Sequence, residues 1–215
     1  MNKILLITRP DHDITTRYLS AWKKKVVDLA ERKNIRVLDL KRAKANKKEF
    51  EGRLKKVQPS FVILNGHGDE DCVTGYDNEI LVQAGKNEDI LKSKIVYAVS
   101  CKSAKELGSK SVKAGAIAYV GYANDFIFCH SFEKITRPLE DKLAGLFLEP
   151  SNQVAASIIK GNTCGKATEN SKRYFFRNIQ KMMSSEASVE FSQYVKFLWW
   201  DMKYQICLGN KNATF

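Results

Sequence analysis

The chain has 215 residues, 44% of them hydrophobic, which suffices for one domain with a buried core and excludes a wholly disordered chain. Its net charge is +12, but no aromatic RNA-binding pattern or zinc-finger spacing accompanies it, so we expect a solvated basic surface and no specific nucleic-acid partner. No apolar run approaches the roughly 20 residues of a membrane span, and the five cysteines are scattered without a CxxC pair. These features predict a single domain over residues 1–215 with reduced thiols, cytoplasmic and without a membrane contact.

The first part of the chain alternates short apolar strands with amphipathic helices. The predicted elements are a strand at 3–8, a helix at 16–33, a strand at 35–40, a helix that Asn46 caps and Pro59 ends, and a strand at 61–64. The strands show no polar alternation, which is typical of parallel strands covered on both faces. The helices carry apolar residues at three- and four-residue steps, as a helix packed on a sheet requires.

The second part continues the pattern and then becomes largely helical. We predict a polar loop to Gly75, a short excursion at 79–84, a brief helix from Asn87 to 91, a strand at 94–100, a helix at 103–114 and a strand at 116–120. After these come a helix beginning at Pro138, a helix at 151–160 ended by Gly161, two longer helices, the last at 188–204, and a short strand at 206–208. The order predicts a three-layer α/β/α sandwich with a mostly parallel central sheet and a helical C-terminal part.

Two reactive side chains follow strands of this sheet. His67 lies between Gly66 and Gly68 after the third strand, and Cys101 follows the fourth. Open parallel sheets bind ligands beyond the carboxyl ends of their strands, so adjacent strands would bring both side chains into one crevice. A thiol needs a base to become a thiolate, and imidazole suits that task. We therefore predict Cys101 as nucleophile and His67 as base, with the N–H groups of Gly68 and Cys101 as oxyanion hole.

A less specific reading exists for each residue. A cysteine at a strand end is often a small buried hydrophobe. A histidine in the core has no need of glycine on both sides, whereas an exposed one gains from backbone angles that only glycine adopts easily. The two residues together therefore favour catalysis more than either does alone.

His67 and Cys101 lie in two segments, Phe61-Val-Ile-Leu-Asn-Gly-His67-Gly68 and, after it, Val96-Tyr-Ala-Val-Ser100-Cys101. Together these segments resemble the caspase-like (clan CD) cysteine peptidases. This group includes caspases, metacaspases, clostripain, gingipains, separase and CHAT-domain proteases. The segments 114–121 and 206–210 resemble its next strand and its closing segment. The resemblance implies one caspase-like peptidase domain that cleaves peptide bonds through an acyl-enzyme, with no cofactor and no required third carboxylate.

The resemblance also places the pocket for a substrate side chain. In this chain the corresponding positions hold Arg9 and Asp13 after the first strand, Ser100 before the cysteine, and Asp125 after the fifth strand. Basic-specific relatives often have an acid two residues before the cysteine, where this chain has Val99. Asp125 and Asp13 would favour a basic substrate residue and Arg9 an acidic one, so we rank basic above neutral above acidic.

Three other classes of function have to be compared with a peptidase. We predict no metal site, because the candidate ligands lack the tight spacing of structural zinc sites; they are His67, Cys72, Cys101, Cys129 and His130. Phosphate-binding motifs are absent as well. A catalytically inactive scaffold or partner-binding module of the same fold stays open as the alternative. For either function we expect a protein or peptide as substrate or ligand, and a protein partner as regulator.

Overall fold

A six-stranded sheet with the order β2-β1-β3-β6-β7-β8 forms the centre of the computed structural model, which describes residues 3–183 and 192–215. The strands are β1 (Ile4–Arg9), β2 (Arg36–Lys41), β3 (Phe61–Asn65), β4 (Cys72–Thr74), β5 (Ile80–Gln83), β6 (Ile95–Val99), β7 (Ala118–Tyr122) and β8 (Gln205–Gly209). The pairings from β2 to β7 are parallel, and β8 lies antiparallel to β7. β4 and β5 form a separate antiparallel hairpin.

Helices cover both faces of the sheet. They are α1 (Ile14–Arg32), α2 (Lys47–Val57), α3 (Glu106–Lys113), α4 (Lys142–Ile159), α5 (Cys164–Met182) and α6 (Val195–Tyr204). The core on one face joins the sheet to α1, α4 and the start of α5, and the core on the other joins it to α2, α3 and the β4–β5 hairpin. The predicted three-layer sandwich with a mostly parallel sheet is therefore confirmed.

Burial on both faces explains why the strands read as unbroken apolar runs. In β1, Leu5 and Ile7 pack in the core on the α1 side, whereas Leu6 packs in the core on the α2 side. All three side chains are fully buried. Successive side chains of a strand point to opposite faces, so every position must be apolar when both faces are covered.

The helix α4 differs from the sequence prediction of two separate helices. It runs unbroken from Lys142 to Ile159 with Pro150 inside it. A proline removes the hydrogen bond to the carbonyl four residues earlier, here that of Leu146. The side-chain amide of Asn178 on α5 donates to this carbonyl at 2.8 Å. A contact from a distant helix thus replaces the bond that Pro150 removes, and periodicity within one segment gives no sign of it.

The remaining differences concern the ends of elements. The polar loop before Gly75 contains β4, and α3 begins at Glu106 because residues 103–105 form turns. The final strand is present as β8. The predicted last helix begins at Ser188 and includes Phe191, and both residues lie outside the described part of the chain. Among the described residues, no helix has the length and apolar character needed to cross a bilayer.

Candidate active site

The strands β3 and β6 bring His67 and Cys101 to the same end of the sheet, beyond the carboxyl ends of its parallel strands. The two strands are direct parallel neighbours, and their last paired residues are Asn65 and Val99. His67 and Cys101 each lie two positions beyond this pair. The adjacency on which the predicted crevice depends is therefore present.

The two glycines beside His67 are required mainly by close packing. A Cβ on Gly66 would lie 2.1 Å from the carbonyl oxygen of Thr74, and one on Gly68 would lie 2.9 Å from Cβ of Ser100. Gly66 has φ +159°, which residues with a side chain rarely adopt, whereas Gly68 has no positive φ. The sequence-based argument from backbone angles therefore applies at Gly66, and at Gly68 close packing against the residue after β6 is the reason for glycine.

The ring of His67 is held by a carboxylate at the start of α1. Nε2 of His67 lies 2.6 Å from Oδ2 of Asp13. Oδ1 of Asp13 accepts the backbone N–H of Thr16 at 2.7 Å and so caps the helix. Partial burial raises the pKa of Asp13, but the hydrogen bonds from Thr16 and His67 outweigh it and the net pKa is lowered. Asp13 is therefore an ionised and fixed partner for the imidazole.

The thiol of Cys101 faces a different environment. Its Sγ lies 3.8 Å from the carbonyl oxygen of Phe126, which accepts the thiol hydrogen. Burial raises the pKa of Cys101 most; a backbone hydrogen bond from Phe126 lowers it, and the nearby negative charge of Asp125 raises it further. The net shift is upward, so in this arrangement Cys101 is a thiol at neutral pH.

Helix α6 fixes the loop that carries Asp125 and Phe126. The indole N–H of Trp200 donates to the carbonyl of Asp125 at 3.0 Å, and Oδ1 of Asp201 accepts the N–H of Ile127 at 2.9 Å. Asp201 is completely buried, and burial raises its pKa well above the usual range. The C-terminal helix thus determines where Asp125 lies relative to Cys101.

Lys102, the residue after Cys101, lies between two carboxylates. Nζ of Lys102 is 3.8 Å from Oδ1 of Asp69 and 3.8 Å from Oδ1 of Asp125. Lys102 has a left-handed backbone with φ +54°, and its N–H donates to the carbonyl of Asn124 at 3.0 Å. The residue after Cys101 is thus turned toward the loop that follows β7, and its ammonium group neutralises part of the acidic charge there.

Two predicted substrate residues lie inside the protein. Arg9 is 4% exposed, donates to both carboxylate oxygens of Asp39 at 2.9 and 2.6 Å, and donates to the carbonyl of Ser20 at 2.8 Å. Ser100 is 3% exposed, with its Cβ packed against Gly68. Both are held by interior contacts, so we leave them out of the substrate site proposed below.

The loop after β1 adds a group of possible metal ligands that differs from the set considered in the sequence. One ligand atom each from His12, Asp13 and His67 lies within 4.8 Å of the others. Of these three residues, only His67 was among the candidates for a metal site. Its partnership with Asp13 was missed as well, although Asp13 and Thr16 stand at the spacing of a helix N-cap after β1. That spacing would have placed the carboxylate at the carboxyl edge of the sheet.

Comparison with known proteins identifies similar folds. No protein-family model and no curated protein sequence matches the chain. The crystal structure of the Arg-specific cysteine proteinase gingipain R (RgpB) superposes with a TM-score of 0.64 at 12% identity, covering 99% of this chain and 47% of that one. A complex of Porphyromonas gingivalis RgpB pro- and mature domains superposes with a TM-score of 0.60 at 10% identity, covering 98% and 47%.

The likeness concerns the fold alone. The chain spans about half the length of these proteinase chains, at 47% coverage of each. Its α/β/α sandwich is therefore of the caspase-like kind found in a cysteine proteinase. A closer relation to clostripain, metacaspases or CHAT-domain proteases stays a prediction.

Proposed function

We propose that the protein is a cysteine endopeptidase in which Cys101 is the nucleophile and His67 the base. The observation that carries this proposal is the placement of both residues beyond adjacent parallel strands, with the imidazole already paired to Asp13. Two reactive groups at one sheet edge, one of them held by a third group, match the general arrangement of nucleophilic catalysis.

The hydrogen bond to Asp13 supports a different role for each ring nitrogen of His67. When Nε2 of His67 carries the proton and donates it to Asp13, Nδ1 has a free lone pair. Nδ1 then takes the proton of the Cys101 thiol as sulfur attacks the scissile carbonyl. The same proton passes to the leaving amine, and His67 later activates the water that hydrolyses the acyl-enzyme. Because the pKa of Cys101 is raised, this proton transfer belongs to the reaction itself.

Backbone N–H groups next to the two side chains support the oxyanion hole. Gly68 faces Val73 in an antiparallel bridge. In this bridge the N–H of Thr74 donates to the backbone carbonyl of His67, and the N–H of Asp69 donates to the backbone carbonyl of Cys72. In such a pair the central residue's own N–H points away from the partner strand. We propose that the N–H groups of Gly68 and Cys101 bind the developing oxyanion, each contributing about 3 kcal/mol.

The charges near the thiol support a preference for a basic substrate residue. The negative charge of Asp125 acts on Cys101, and Lys102, whose Nζ lies 3.8 Å from Oδ1 of Asp125, neutralises only part of it. The similar gingipain R is described as Arg-specific. We propose cleavage after arginine or lysine, with Asp125 as the main acidic contact. Asp13 is committed to His67 and α1, so we assign it a positioning role.

A protein ligand or regulator is part of the proposal. One of the similar structures is a complex between a pro-domain and a mature domain, so that enzyme has a surface that receives a polypeptide. We propose that a polypeptide also binds along the edge of the sheet where His67 and Cys101 lie.

Cleavage of a mixed peptide library by the purified protein tests the proposal. The wild-type protein should cleave after basic residues, and Cys101→Ala and His67→Ala should each abolish cleavage. Cys129→Ala is the matched control, because it removes a partly exposed thiol distant in sequence from Cys101 and should leave cleavage intact. Cleavage that survives Cys101→Ala would refute the proposed nucleophile.

The alternative of an inactive scaffold is favoured by one observation, the thiol of Cys101 held against the carbonyl of Phe126 with a raised pKa. Burial raises the pKa of Cys129 and Cys207 as well. Alkylation separates the two functions, since an active pair makes Cys101 react faster than the other two in the folded protein and His67→Ala removes the difference. Equal rates for all three thiols would favour the scaffold.

A further inference from the structure

A cluster of two imidazoles and a carboxylate lies at the end of β1. We propose that His12, Asp13 and His67 bind a divalent transition-metal ion, and that Zn²⁺ is the ion their chemistry fits. Their ligand atoms lie within 4.8 Å of one another and come from two separate loops, residues 12 and 13 after β1 and residue 67 after β3. Two neutral imidazoles and one carboxylate are a common ligand set for zinc with an open fourth position.

The distances need only a small adjustment to hold an ion. Oδ2 of Asp13 lies 2.6 Å from Nε2 of His67 and 3.5 Å from Nε2 of His12. Ligands bound tetrahedrally at 2.0–2.1 Å from zinc stand about 3.3 Å apart. Asp13 and His67 must therefore separate by about 0.7 Å, and the ion would replace the hydrogen bond between them.

The side chains of Asp13 and His12 and the backbone of His67 are already held by contacts outside the cluster. Asp13 is fixed by the backbone N–H of Thr16, and the backbone carbonyl of His67 accepts the N–H of Thr74 at 2.9 Å. The ring of His12 packs edge-on against Tyr76 with centroids 5.5 Å apart. Little conformational entropy remains to be lost on binding, which favours a site formed before the ion arrives.

The cluster is accessible from solvent. The side chain of His67 is 41% exposed and that of Asp13 is 36% exposed, whereas that of His12 is 11% exposed. An ion can therefore enter and retain water as its fourth ligand. Nδ1 of His12 is buried and has no hydrogen-bond partner among the described residues. Zinc-bound histidines normally donate this second N–H, so we expect affinity about 10–100-fold below that of a site with such an acceptor.

Binding would inactivate the proposed enzyme. The ion would occupy Nε2 of His67 in place of the hydrogen bond to Asp13, so the neutral ring would carry its proton on Nδ1 and have no lone pair for the proton of the Cys101 thiol. This inhibitory consequence rests on the proposed function. The metal site itself does not, because its three ligands include neither Cys101 nor any substrate contact.

Direct titration with Zn²⁺ tests the site without reference to activity. We expect calorimetry to give one ion per wild-type chain. His12→Ala and His12→Gln should weaken binding at least tenfold. Cys101→Ala should bind as the wild type does, and so should His130→Ala, which removes a histidine stacked on Tyr18 outside the cluster. Thermal unfolding of each metal-free variant verifies that it is folded. Equal binding by the His12 variants, or loss of binding in Cys101→Ala, would overturn the proposal.

Cobalt distinguishes the proposed ligands from a site at the thiol. Co²⁺ bound by His12, Asp13 and His67 should show visible d–d bands without a sulfur-to-cobalt charge-transfer band. That charge-transfer band in the wild type, absent in Cys101→Ala, would place the ion on Cys101 and refute the site.

Peptide cleavage then separates this proposal from the proposed function. If the protein cleaves peptides, Zn²⁺ should inhibit it over the concentration range of binding, and His12→Ala should need at least tenfold more Zn²⁺, relative to its own metal-free rate. Binding without any cleavage would retain the site and refute the peptidase. Cleavage without binding to the cluster would do the reverse.

Discussion

The two sides of the candidate active site are prepared to different degrees. The histidine side, consisting of Asp13, His67 and Gly68, has an imidazole paired to an ionised carboxylate that also caps α1. On the cysteine side, Cys101 faces the carbonyl of Phe126 and lies beside the charge of Asp125, and its pKa is raised. The proposed base is thus paired to its carboxylate, while the proposed nucleophile is held as a thiol. A site of this kind gains reactivity only when a proton passes from one side to the other.

We expect the largest effect from removing the carboxylate of Asp13 that pairs with His67. Asp13→Asn should lower kcat/KM by about 100-fold or more, because a neutral amide cannot hold the ring in the tautomer that general-base catalysis needs. Asparagine caps helices as well as aspartate does, so the free energy of unfolding should change little. Asp13→Ala removes both roles and should also cost about 1 kcal/mol of stability.

Kinetics together with chemical denaturation measure the two effects separately. If Asp13→Asn loses activity only in proportion to its stability, Asp13 is a helix cap and not a positioning residue for His67.

We expect an intermediate effect from removing the negative charge of Asp125 near Cys101. Asp125→Asn removes a negative charge that helps to raise the pKa of Cys101, so more thiolate exists at a given pH. Alkylation of Cys101 near neutral pH should become several-fold faster, and the pH at which its rate rises should move down. Cleavage after arginine or lysine should fall relative to cleavage after neutral residues. Asp69→Asn is the control, since Asp69 is not among the groups that shift the thiol.

Rates of alkylation as a function of pH, with a peptide library on the same proteins, give the measurement. An unchanged rate profile would show that burial alone raises the pKa of Cys101, and an unchanged preference would remove Asp125 from the substrate site.

The smallest effect should follow from Lys102, whose Nζ lies 3.8 Å from Oδ1 of Asp125, the acid of the proposed substrate site. Exposed ion pairs contribute about 0.2–1 kcal/mol, so Lys102→Gln should lower KM for a basic substrate by up to about fivefold. The variant should leave kcat for a neutral substrate unaffected, because Lys102 contacts neither the imidazole of His67 nor the sulfur of Cys101. Lys105→Gln is the matched control, since Lys105 pairs with Glu70 at 2.5 Å. A rise in KM for basic substrates would mean that Lys102 assists their binding.

Several parts of the fold and site were predictable from local sequence. Burial on both faces selects unbroken apolar runs, and these located β1, β3 and β6 within a residue or two at each end. A parallel sheet then places whatever follows its strands at one edge, which identified His67 and Cys101 as a pair. Both inferences use patterns within a few residues and one general rule of topology.

Contacts between segments that are distant in sequence could not be predicted from these local patterns. Asp13 and His67 are far apart in sequence and meet because β1 and β3 are neighbours. Arg9 is equally polar in the sequence, yet its side chain turns inward to Asp39 on β2. Whether a charged residue after a strand faces a crevice or a neighbouring strand depends on its register and side-chain direction.

The sequence by itself determined the class of fold and that His67 and Cys101 follow neighbouring strands, because hydrophobic periodicity and strand ends are local properties. Only the tertiary structure decided the partners of those residues: the carboxylate that holds His67, the carbonyl and acid that face Cys101, and His12 beside them. The physical reason is that hydrogen bonding and electrostatic shifts depend on distances of a few ångströms between groups. Those distances are set by the packing of the whole sheet and its helices.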